Sequence, residues 1–138
     1  MAGSGSKTVV IAGIVSGIAL FIISSLGNMA VYPFYLESPS LWKPVNELWY
    51  VGIVLFYILA GLIFSLIYTV FMRTLKGRAL GKGLLYGSLV WFIGPLQGVL
   101  FTHLTMAVDV AIIVSWLFNG LIGSLVAGVI IAHFFEGR

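Results

Sequence analysis

Four apolar runs govern what this chain can become: residues 8–35, 48–72, 83–106 and 110–135 contain no Asp, Glu, Lys or Arg. Each exceeds the roughly 20 residues that a helix needs to cross a hydrocarbon core about 30 Å thick. Inside lipid an isolated run can satisfy its own backbone only as a helix. The expected fold is therefore all-α: a polytopic integral membrane protein forming one four-helix transmembrane domain over residues 1–138. A water-soluble domain is excluded, because 61% of the residues are hydrophobic and 8% charged, against about 25% charged in a soluble protein. The first partner is the lipid bilayer. The opening run is also too long for a cleaved leader, whose apolar region spans about 7–15 residues.

The segments between the runs predict how the helices are threaded. After a polar lead, Met1–Lys7, the first run meets a loop at 37–46 that holds Pro39, Trp42, Lys43 and Pro44. Prolines break the helix there, and the tryptophan suits headgroup depth. The loop at 73–82 carries four of the seven Lys/Arg, namely Arg73, Lys76, Arg78 and Lys82, with Gly77 and Gly81 as expected breakers. Short basic loops stay in the cytoplasm, so both termini are expected there too, Lys7 and Arg138 included. Glu37, Glu47 and Asp109 then fall on the opposite side, Asp109 as the cap of the fourth helix. The expected location is the cytoplasmic (plasma) membrane, multi-pass. Gly94-Pro95, inside the third run, predicts a kink.

The chain also matches itself. Gly13, Gly17, Ile23 and Leu26 recur 70 residues later as Gly83, Gly87, Ile93 and Leu96, and Gly61 to Ile67 resembles Gly120 to Val126, 59 residues on. The first two helices thus read as a hairpin duplicated in tandem as the last two, related by an axis along the membrane normal. Small residues four apart accompany the repeat: Gly13/Gly17, Gly83/Gly87, Gly94/Gly98, Gly61/Ser65 and Gly120/Ser124/Gly128. Such spacing lets helix backbones approach closely in lipid. The Gly120/Ser124/Gly128 groove is the expected contact with another chain.

Chemistry is sparse. Four acids, two histidines and no cysteine assemble no acid/base pair, nucleophile triad or metal set, so neither catalysis nor a metal is expected. His103 and His133 fall at opposite membrane faces and cannot share a ligand, which leaves His103 as the single cofactor candidate. An uncharged polar belt in the outer half (Ser24, Ser25, Asn28, Gln97, Ser115 and Asn119) could hydrate a cavity or bond helix to helix. The leading expectation is a non-catalytic subunit packed into a larger membrane complex, with other membrane subunits or copies of itself as partners and no nucleic acid. The alternatives are a small homo-oligomeric transporter or channel and, third, a single-histidine cofactor protein.

Overall fold

The structure, a computed structural model, describes the backbone of residues 2–137 and the side chains of residues 5–137. Arg138, one of the residues that orient the termini, lies outside them. The fold is all-helical: α1 (Ala2–Ala30), α2 (Tyr32–Glu37), α3 (Glu47–Phe71), α4 (Ala79–Ile93), α5 (Pro95–Thr105) and α6 (Val110–Glu136). Four segments are long and apolar enough to cross a membrane: Gly5–Ala30, Glu47–Phe71, Ala79–Thr105 and Val110–Glu136.

Several boundaries differ from the sequence expectation, each for a local reason. The first helix stops at Ala30 rather than near Tyr35, since Pro33 restarts the chain as the short α2; proline suits a first helical turn, where no N–H is required. The polar lead is helical from Ala2. Helix α4 begins at Ala79, so Gly81 and Lys82 lie within it instead of in the loop. The kink at Gly94-Pro95 is a full break, with Gly94 ending α4 and Pro95 opening α5. Asn46 caps α3 by accepting from the Trp49 amide at 2.9 Å, and Asp109 caps α6 by accepting from the Ala111 amide at 2.7 Å.

Packing follows a chain of neighbours. Helix α1 lies along α3 on one side and α6 on the other, and α6 lies along α4. The termini of α1 and α6 and the α3–α4 loop share one end of the bundle, here the terminal face. There Ala12, Tyr68, Ala79, Tyr86, Ile131 and Ala132 form a buried cluster. At the opposite, distal face, Val108, Ile112 and Ile113 are buried against Phe34, Tyr35, Trp42 and Trp116. Between these clusters most large apolar side chains point outward, as in Leu26, Leu55, Phe92 and Phe118, each about three-fifths exposed. Lipid is the medium that such a surface fits.

Candidate functional site

The small-residue seams account for the tight hairpins. A Cβ placed on Gly13 would meet the Leu62 backbone at 2.7 Å, and one on Gly17 would meet the Tyr57 carbonyl at 2.6 Å and the Ile58 Cα at 2.8 Å. Gly61 faces back into the notch between Gly13 and Gly17. The second hairpin repeats this arrangement: Gly83 meets Val129, Gly87 meets Ser124 and Leu125, and Gly128 faces Gly83 and Gly87. Any side chain at these positions would drive two backbones apart.

These contacts bear on two expectations. The Gly120/Ser124/Gly128 face of helix α6 packs within the chain: Ser124 is buried with its backbone against Gly87, Gly128 lies against α4, and Gly120 lies against Pro95 and Trp91. The groove is filled within the chain because α4 carries the complementary notch. The register also changes. With Gly13 matched to Gly83 (83 − 13 = 70), the residues that fill the notches match as Tyr57 to Ser124, Gly61 to Gly128 and Leu62 to Val129, all 67 apart (128 − 61 = 67). Gly61 therefore corresponds in its contacts to Gly128, not to Gly120. At this offset Trp49, Ala60, Gly61 and Ile63 meet identical residues at Trp116, Ala127, Gly128 and Ile130.

Most of the polar belt is consumed by bonds inside the bundle. The Asn119 amide donates to the Ser115 hydroxyl at 3.0 Å, and Ser115 donates to the Gly27 carbonyl at 3.3 Å. Gly27 is needed there, because a Cβ would overlap the Asn119 amide. Tyr57 donates to Ser24. Near the distal face the Trp116 indole donates to the Tyr35 hydroxyl at 2.7 Å, and Tyr35 donates to Asn28 at 3.0 Å. Burial pushes the Tyr35 hydroxyl above its ordinary range, so it stays a donor. Trp91 donates to the Leu117 carbonyl at 3.1 Å, tying α4 to α6. Sequence reasoning missed Gly27, Tyr35, Trp91 and Trp116 as members of this network; only the type of the last three, aromatics with one polar atom, hinted at it.

Gln97 and Ser25 have no hydrogen-bond partner among the described residues. Ser25 is half-buried on α1, whereas Gln97 is exposed on α5, and a Cβ added to the neighbouring Gly98 would have nothing within 4 Å. Gly52 on α3 is equally open, and Phe56 and Ile93 are 60% and 67% exposed. No sustained contact joins α3 to α5. The side-chain contacts between α3 and α4 gather around Tyr86, which donates to the Phe64 carbonyl at 2.6 Å and packs edge-on against Tyr68. The flank between α3 and α5 is therefore bridged near the terminal face and open in its distal half.

Other candidates are less developed. His103 and His133 are exposed on α5 and at the end of α6, near opposite faces. Among the described residues no three His, Asp or Glu gather where a metal could be held. At the distal face a recess of about 160 Å³ is lined by Glu37, Trp42, Val108 and Asp109 among others. The Trp42 indole nitrogen and the Ser65 hydroxyl are buried without a partner among the described residues. The chain matches no known protein family, no curated protein and no solved structure.

Proposed function

We propose that the chain is a non-catalytic integral membrane subunit that packs into a larger membrane complex, receiving a partner's helix along the open flank between α3 and α5. Its termini lie in the cytoplasm, its membrane is the plasma membrane, and its two hairpins derive from one duplicated unit in the 70/67 register. The observation that carries this reading is the contrast between the spent polar belt and Gln97. Ser115, Asn119, Asn28 and Ser24 are bonded within the bundle, which favours a packing role over a solute path. Among the described residues Gln97 is the one amide of the belt that is exposed and unbonded, with Gly98 open beside it and Gly52 open on α3. A carboxamide facing lipid lacks partners that a neighbouring helix can supply, and bare glycines allow that helix to come close.

The test is the particle extracted in mild detergent. It should exceed the 14.9 kDa of one chain and contain a second polypeptide at fixed stoichiometry. Gly98→Leu combined with Gln97→Leu should release that polypeptide while leaving the chain folded. A particle holding only this chain, together with solute flux in liposomes that Gln97→Leu/Asn119→Leu abolishes, would replace the subunit reading with a transporter.

A further inference from the structure

The terminal face carries a pronounced charge imbalance. Lys7, Arg73, Lys76, Arg78 and Lys82 lie there with a single carboxylate, Glu136; five cations against one acid leave a net +4 among the described residues. No other acid can help, since none occurs between Glu47 and Asp109. Glu136 is also already engaged: it accepts from the Ala79 amide at 2.6 Å and pairs with Lys82 at 3.0 Å. Lys7, Arg73, Lys76 and Arg78 are all exposed and have no ion pair among the described residues.

The loop that bears three of them is held in place. Met72 and Leu75 pack on the buried cluster of the terminal face, so the backbone is pinned at two points. The Thr74 and Leu75 amides and the Thr74 hydroxyl all donate to the Phe71 carbonyl. Gly77 turns the chain with φ +107°, a conformation that glycine adopts without penalty, and delivers Arg78 in extended form to the start of α4. The loop thus lies across the ends of α3 and α4 instead of projecting from them. Its cations sit just beyond Phe71 and just before Ala79, where membrane-spanning helices end. That is the depth of lipid phosphates.

We infer that this face binds the headgroups of anionic phospholipids, with Arg73, Lys76 and Arg78 as the principal contacts and Lys7 as a fourth. A basic cluster at the membrane surface gains about fivefold in affinity for acidic lipid per cation, and pinning the loop reduces the entropy lost on binding. Lys82 is not part of the set because Glu136 neutralises it.

The experiment uses the full chain in phosphatidylcholine vesicles with trace spin-labelled phosphatidylglycerol or phosphatidylcholine. Wild type should prefer the anionic label, and the preference should weaken as salt is raised. Arg73→Gln/Lys76→Gln/Arg78→Gln should lower it at least about fivefold, the effect of one such charge. Arg73→Lys/Arg78→Lys, which keeps the charge, should retain it and so control for folding. Equal preference in wild type and the triple Gln variant overturns the inference. So does a thermal shift from inorganic phosphate as large as that from phosphatidylglycerol, or selective retention of RNA over lipid, because either assigns the surface to another ligand.

Discussion

On one flank of the bundle α1 and α6 lie in contact along their length; on the other, α3 and the α4–α5 segment meet mainly around Tyr86. In the proposed 70/67 register the two flanks are set by matched positions, and their side chains differ in size. Ser16, fully buried beside α6, corresponds to Tyr86, whose ring and hydroxyl stand between α4 and α3. Gly123, which lets Leu20 approach to 3.0 Å of its Cβ position, corresponds to Phe56. Gly27 and Asn119, in contact on the closed flank, correspond to Gln97 and Gly52 on the open one. Without a hydrophobic force between helices in lipid, side-chain size and shape decide which helices touch. Two small residues line the closed flank; a tyrosine that bridges α4 to α3 and an exposed phenylalanine stand at the matching positions of the other.

The strongest way to break this comparison is to attack the seams that both hairpins share. Gly61→Leu and Gly87→Leu place side chains where even a Cβ would overlap the facing backbone. Each should cost more than about 3 kcal/mol, seen as loss of the folded monomer on titration with denaturing detergent. Ser124→Leu belongs with them, since Ser124 is 2% exposed, and should destabilise the monomer without specifically releasing a partner. If any of the three is tolerated, that seam is not packed as described.

Tyr86→Ala should come next, at about 3 kcal/mol by the same titration, the lower end for deleting a buried aromatic. It removes the contact with Tyr68 and the bond to Phe64. Tyr86→Phe, which keeps the ring, should cost only about 0.6 kcal/mol, an average hydrogen bond between membrane helices. A large loss for Tyr86→Phe would mean that the bond, not the bulk, joins the flanks.

How legible this is from the sequence varies by level. The four spans, the break at Gly94-Pro95 and the Asp109 cap rest on local rules of length, proline chemistry and capping, so single residues announce them. Helix α2 hangs on Pro33 alone, and the start of α4 depends on a bond from the Ala79 amide to Glu136, 57 residues away. The glycine seams are visible, but not which helix each meets, because spacing fixes a helix face and not its neighbour. Thus spacing alone leaves Gly128 free to face outward, although it fits Gly83 and Gly87. The open flank is illegible for the same reason: nothing in Tyr86 or Phe56 alone says that their counterparts are Ser16 and Gly123.

The smallest effects sharpen the contrast further. A Cβ added at Gly52 or Gly98 meets nothing within 4 Å, so Gly52→Ala and Gly98→Ala should both leave monomer stability within about 0.5 kcal/mol of wild type. A substantial loss in the isolated monomer would show that the open flank closes on itself.

The most direct measurement is a pair of disulfide tests in native membranes, free of background because the chain has no cysteine. Leu20→Cys/Gly123→Cys spans the closed flank, and Val90→Cys/Phe56→Cys occupies the corresponding positions on the open one. Under mild oxidation the first pair should cross-link readily within one chain and the second should not. Equal intramolecular cross-linking of both pairs would mean that α3 and α4 stay in contact beyond Tyr86 as closely as α1 and α6 do, and the proposed place for a partner helix would be gone.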